Sequence, residues 1–259
     1  MSAGTFTTPA GRMAALARAE LTLLSRSKGT LFAAMFVPLV LPFSARSAAK
    51  EMDLAAAGLS VGTVVLPAAL GVSLLFAVYT TLVGVFVARR EELVLKRLRT
   101  GELRDLEILT GSAMPAVATA FVQSAVLAVG CAVLLDLDAP RAPLYTVVGY
   151  LLGLVMCTAL AAVTSGVSRS TESAQVTTMP FVLLSLIGSG LVVPLEVMPD
   201  RLAALCRVLP LTSVVTLLRG GWTGNLSAGE ALAALIGVLA WTVAGVLAVR
   251  RWFRWEPRR

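Results

Sequence analysis

The sequence predicts an all-α integral membrane protein, one domain over residues 1–259. It should hold six transmembrane helices, an N-terminal amphipathic interfacial helix, a charged cytoplasmic helical loop and an extracellular re-entrant helical hairpin. Three observations carry this. Of 259 residues, 57% are hydrophobic and 14% charged, with mean hydropathy +0.85; soluble domains are about a quarter charged. The apolar residues form continuous runs instead of alternating, which selects helices over a barrel as the way to satisfy backbone groups in hydrocarbon. Charge is concentrated in one stretch, Arg89 to Glu107, with six basic and five acidic residues and leucines threaded between them.

In chain order, residues 10–27 place Met13, Leu16, Ala17, Leu21 and Leu24 at helical spacing, with Arg12, Arg18 and Arg26 around them. A basic amphipathic helix of this kind lies in the membrane plane; a soluble cytoplasmic helix is the plainer alternative. The first span is expected at about 30–45 and contains Pro38 and Pro42. Its basic start, apolar centre and small-residue tail also resemble a signal peptide, but the 28 residues ahead of Gly29 are long for one. The second span, 58–88, is 31 residues without a charge, longer than a ~30 Å core requires at ~1.5 Å per residue. Further spans are expected at 113–135, 144–167, 176–194 and 231–249. Gly149 and Gly153 form a GxxxG that allows close helix approach, a pattern that also arises by chance in Gly-rich apolar helices. Between the last two spans, 195–230 is too polar to cross and too apolar for a free loop. Met198-Pro199-Asp200 opens one short helix, Pro210 breaks it, and a second ends at Arg219-Gly220-Gly221. The tail Arg250-Arg251-Trp252-Phe253-Arg254-Trp255 suits the headgroup level.

Six spans put both termini on one side with the 89–111 loop. That side carries 16 Lys and Arg and the other 6, whereas the acidic residues divide 8 to 7. The basic excess marks the cytoplasmic face, so the hairpin faces outward.

Several chemistries are disfavoured or excluded. No histidine is present, so histidine-ligated metals and histidine bases are excluded. Cys131, Cys157 and Cys206 are far apart and read as small buried hydrophobes. The expected spans carry no ionisable group of the kind that ion-coupled carriers need at depth. Their polar residues, among them Tyr79, Thr80, Gln123, Thr177 and Ser185, either bond helix to helix or line a weakly polar path. No GxxxxGK[ST] loop is present, so energy for uphill movement has to enter through a partner.

The 89–111 loop reads as two short helices with a leucine face, Val94, Leu95 and Leu98, then Leu103, Leu106 and Leu109. Thr100 is placed to cap the second piece, with Glu102 near its positive end and Gly111 closing it. Such a face suits the groove of a partner; a loop that simply hugs headgroups is the alternative.

Arg90-Glu91-Glu92 at a span end, followed by Leu95-Lys96-Arg97-Leu98-Arg99-Thr100, resembles permeases of the type-2 ABC exporter family, which move drugs, lipids and polysaccharides. Pro194, Met198-Pro199, Pro210-Leu211-Thr212 and Leu218-Arg219-Gly220 with Gly224 resemble that family's late segment. Gly101 stands where proline is usual, and Met198 where leucine often precedes proline. The resemblance implies a homodimer of permeases in a bacterial plasma membrane, with two ABC ATPase subunits docked on the coupling loop and on the N-terminal helix. Arg90, Glu91, Glu92, Leu95, Lys96, Arg97, Leu98, Arg99, Leu103 and Leu106 would form the docking surface. Pro199, Pro210, Arg219 and Gly220 would shape the outer hairpin. ATP and magnesium would bind the partner, with no cofactor and no catalytic site in this chain. Membrane lipid is the other expected partner, and nucleic acid is not one. An amphipathic, drug-like or lipid-like cargo fits the uncharged spans. Two other classes stay open: a non-transporting sensor subunit, and a lipid-modifying enzyme that would need a polar cluster such as Glu196, Asp200 and Arg201.

Overall fold

A computed structural model describes residues 60–100, 104–135, 137, 139–195, 198–253 and 255, together with the isolated positions 11, 22 and 40. The expected interfacial helix at 10–27 and first span at 30–45 therefore lie outside the described residues, as do Leu103 and Glu196. The described residues form helices and connections, with no strand among them.

The central element is α1, Val61–Glu91, a 31-residue helix buried along most of its length. Ser60 starts it: its hydroxyl accepts from the Thr63 amide at 3.2 Å, and its own amide donates to Thr63 Oγ1 at 2.9 Å. This reciprocal cap satisfies donors that the first turn leaves orphaned. Leu74–Thr80 is wound as π-helix. The wider turn frees the Phe76 carbonyl, which accepts from the hydroxyls of both Thr80 (2.7 Å) and Thr81 (2.9 Å). Buried Leu66, Leu74, Leu75, Val78, Leu82 and Phe86 show that α1 has no lipid-facing stripe over most of its length.

A six-residue helix follows, α2, Val94–Arg99. Next is α3, Asp105–Leu135, of 31 residues. The second loop helix expected from sequence is not separate: residues from Asp105 onward are the first turns of α3. Gly111 does not close it, because nothing there turns the backbone left-handed and the apolar run continues. Thr100 ends α2 instead of capping α3. The capping carboxylate is Glu107, which takes the Arg104 amide at 2.8 Å. The outer side of α3 shows Phe121, Val122, Val126, Val129 and Val133, a face suited to lipid or another apolar surface.

α4 is Pro143–Val167, with proline at its start where a missing amide costs nothing. α5, Thr171–Gly188, opens on a reciprocal Ser170–Ser173 cap, so it begins earlier than the span expected at 176–194 and ends sooner. α6, Asp200–Cys206, and α7, Pro210–Thr223, meet at 104°, the two short helices expected within 195–230. Pro210 is the first residue of α7, and Gly224 ends it with φ +70°. α8 is Ala228–Trp252, capped by Ser227 and Glu230.

Among the described residues four helices are long and apolar enough to cross a membrane, α1, α3, α4 and α8, or five if the bent α6–α7 pair counts as one span. α5 is not among them, since Thr171, Glu172, Ser173 and Gln175 make its first turns polar.

The GxxxG of α4 is a true helix contact. A Cβ at Gly149 would lie 2.7 Å from Leu217 Cβ of α7; one at Gly153 would lie 2.7 Å from Leu74 Cδ1 and 2.9 Å from Val214 Cγ1. These two glycines let α7 and the π segment of α1 sit against α4. Gly153→Leu should therefore destabilise the fold by about 1–3 kcal/mol through overpacking, read as a lowered unfolding midpoint in detergent. Gly229→Ala, where nothing lies within 4 Å, should leave that midpoint in place.

Candidate functional site

The charged stretch folds into one corner where five helix ends meet. α1 ends at Glu91, and Leu93 turns the chain with φ 60°, the left-handed region. That conformation ends helices but is costly for a residue with a Cβ, by about 1–2 kcal/mol. α2 then lies beside the α1 terminus and the start of α3.

Two arginines fix its position. The Arg90 side chain is only 1% exposed. Its Nη1 donates to the Ser165 carbonyl at 2.8 Å and its Nη2 to the Ser168 carbonyl at 2.5 Å. Those carbonyls belong to the last turn of α4 and its cap, where a cation also meets the negative end of the helix dipole. Arg99 donates through Nε to Asp105 Oδ1 at 3.1 Å, and its guanidinium lies 4.9 Å from the Trp255 ring centre. Trp255 packs edge-on against Phe253 at 5.0 Å, and Phe253 against Phe86 of α1 at 6.4 Å. Glu91 accepts from the Thr171 amide at the start of α5 at 3.3 Å. Arg89 and Glu92 form an ion pair at 3.0 Å. The ends of α1, α4 and α8 and the starts of α3 and α5 are thus held together, and α2 rides on them.

The expected docking residues divide. Arg90 and Leu95 (0% exposed) face inward, so neither is available to a partner. Burial of Leu95 is what seats α2 on the bundle. Leu98 is half-buried, and Glu91, Glu92, Lys96, Arg97 and Arg99 are exposed. Leu106 is 72% exposed on the first turn of α3, and Leu93 adds a second exposed leucine. Leu103 is outside the described residues. The outward surface is therefore a charged ridge flanked by Leu93 and Leu106.

At the other end of the bundle, Pro199 precedes α6 and Pro210 opens α7. Arg219 is buried and donates through Nη2 to the Gly190 carbonyl at 2.9 Å. Gly220 admits Leu226, whose Cδ2 would lie 2.6 Å from a Cβ there. The residues suggested for a polar path are engaged within the chain. Gln123 Oε1 accepts from Ser73 at 2.7 Å, and Tyr79 Oη and Thr164 Oγ1 are 3.0 Å apart. Thr80 and Thr177 bond backbone carbonyls of their own helix, and Ser185 is buried. None of the five lines the cavity of about 450 Å³ beside α7.

Among the described residues no group of His, Cys, Asp and Glu is arranged to hold a metal ion. Sequence reasoning missed the Arg90 clamp, the Glu91–Thr171 bond and the stacking of Trp255 on Arg99. The one available signal was the paired Ser165 and Ser168 at the end of an apolar run.

Replacing Arg90 by leucine should strip the Ser165 and Ser168 carbonyls of a charged donor and cost about 1.5–3 kcal/mol. The check is thermal unfolding in detergent, with Arg90→Lys expected to recover part of the loss.

No curated protein matches this sequence. The family model for the ABC-2 type transporter does match, over residues 12–222, which spans both the charged corner and the bent α6–α7 pair. The chain is a multi-pass membrane protein of the ABC-2 type transporter family, the transmembrane subunit of an ABC transporter and not itself catalytic.

Proposed function

We propose that this permease is driven through α2 by an ABC ATPase and exports an amphipathic, drug-like or lipid-like compound. Membership of the family implies association with an ABC ATPase. The observation that carries the docking reading is the construction of the corner. α2 presents Lys96 and Arg97 outward while Leu95 seats it and Arg90 ties its supporting helix to α4. A push on α2 then reaches α1, α3, α4, α5 and α8 at once, because their ends share these contacts.

In this reading the corner is cytoplasmic, ATP and magnesium sit on two ATPase subunits, and two permeases pair in a bacterial plasma membrane. The whole chain is one permease domain. Six spans arise when 30–45 and α5 cross along with α1, α3, α4 and α8, and both termini are cytoplasmic. The clustering of residues 89–100, the 168–171 connection and Trp255 at one end supports that sidedness, since these lie in the basic segments. Apolar side chains along α3, α4 and α5 fit both lipid and a second protomer.

The test is co-purification with an ATPase encoded beside this gene. Arg97→Glu together with Lys96→Glu reverses exposed charge without touching Arg90 or Leu95, and should lower ATPase retention by about 10-fold, or ~1.4 kcal/mol. Full retention with normal folding would refute docking through α2. An ATPase that binds but is stimulated by no exported compound would favour the sensor reading.

A further inference from the structure

The chain does not turn away from the bundle where α8 ends. Phe253 makes the last helical bond, its amide donating to the Val249 carbonyl at 2.9 Å. It then leaves the helix as extended backbone, with φ −65° and ψ 127°. The segment passes the end of α4, where a Cβ at Gly166 would lie 3.5 Å from the Trp252 carbonyl oxygen and 3.9 Å from Phe253 Cα. Past that point Phe253 meets Phe86 of α1, and Trp255 meets Arg99, the last residue of α2. Phe253 and Trp255 are both partly buried against the core. Residues 253–255 therefore run from α8 to α2 and touch α4 and α1 on the way.

An interfacial anchor has no use for this course. A tryptophan at headgroup level only has to reach lipid, and Trp252, 67% exposed, is placed for that. Trp255 is instead turned onto the bundle, with its ring under a guanidinium 4.9 Å away. Tryptophan offers the best ring face for a cation.

What this contact does follows from the size of α2. Six residues do not hold a helix in water. Leu95 seats its first turn on the bundle. Its last residue is held from two sides, by Asp105 and by Trp255. The ion pair to Asp105 is half-exposed on both partners, 51% and 52%, and exposed pairs contribute little. The ring contact is of the same order, so both matter to the end of α2 that carries Arg99. Lys96 and Arg97 lie between these two fixed points, and their direction depends on both.

We propose that residues 253–255 form a strap that sets the orientation of α2 for its partner, with Trp255 as the positioning residue acting through Arg99. This rests on the reading that an ABC ATPase docks at α2. Trp255 acts from behind the docking ridge, by fixing the angle at which Lys96 and Arg97 are presented.

The test measures the affinity of the full-length permease for the ATPase encoded beside its gene. Trp255→Ala should weaken binding about 2- to 5-fold, the strength of an exposed cation–π contact. Trp255→Phe keeps a ring face and should recover part of the loss. Arg99→Gln combined with Trp255→Ala should bind no more weakly than Arg99→Gln alone, because the two residues make one contact. Additive losses would overturn the strap and leave Trp255 as a lipid anchor. Trp252→Ala should leave the affinity in place; an equal loss there would also overturn the strap. On the permease alone, Trp255→Ala should speed deuterium uptake several-fold over residues 94–100 and leave Val61–Ser73 unchanged. Unchanged uptake over 94–100 overturns the proposal. Charge reversal at Lys96 and Arg97 separates the two claims. If it weakens binding and Trp255→Ala does not, docking at α2 stands and the strap falls. If neither weakens binding, docking at α2 falls and takes the strap with it.

Discussion

Where α4 ends, its last carbonyls have no amide to meet, and the chain leaves it as extended backbone at Ser168. The Arg90 guanidinium, carried by a different helix, takes two of those carbonyls. This joins the central helix to α4 by charge-assisted bonds. Close by, Glu91 reaches the first turn of α5, and the Phe86–Phe253–Trp255 series draws in the end of α8. The charged ridge inherits its position from this junction. α2 is only six residues long, too short to hold its own conformation in water, so its shape depends on Leu95 beneath it and on Arg99 bridging to Asp105 and Trp255.

The interior follows a different rule. Polar side chains there are few, and those with described bonds find protein partners: Ser73 with Gln123, Tyr79 with Thr164, and Tyr150 with the Ala120 carbonyl and Ser124. Away from water an unpaired hydroxyl or amide is expensive, and pairing them across helices also fixes register. Of the hydroxyls that looked available for a polar path, that of Tyr79 bonds across helices, whereas Thr80 and Thr177 bond carbonyls of their own helix.

Much of this was legible in the residues. Continuous apolar runs gave helices, the basic excess gave a common end for three segments, and proline at 199 and 210 gave the bent pair. Gly149 and Gly153 were visible, but a spacing cannot say what lies opposite; Leu217, Leu74 and Val214 do. The loop reads as two helices because leucines recur through 109, yet helical periodicity looks the same in a short amphipathic helix and in the first turns of a span. Leu93 was invisible as a turn, since the left-handed position at a helix end is usually announced by glycine. Arg90 reads as surface because its neighbours in sequence are charged. Its burial is decided by Ser165 and Ser168, residues more than seventy positions away.

A lever needs stiff arms and one place that yields. The arm nearest the ridge, Thr81–Glu91, is held by Arg90 and Phe86; the far arm, Val61–Ser73, is packed against Leu191 and Val215 at Gly71. Between them lies the π segment Leu74–Thr80, whose hydrogen bonding is less regular than that of the α-helix on either side. Two hydroxyls on the Phe76 carbonyl stabilise it locally, so one residue of register can be taken up or released without exposing a bare carbonyl to hydrocarbon. Leu74 of this segment sits in the notch made by Gly153, and α7 packs on the same side of α4. A change of winding here would therefore be felt first by α7. If force does enter at α2, the contacts that carry it run from the ridge through Arg90 and the π segment to α7, at the opposite end of the bundle.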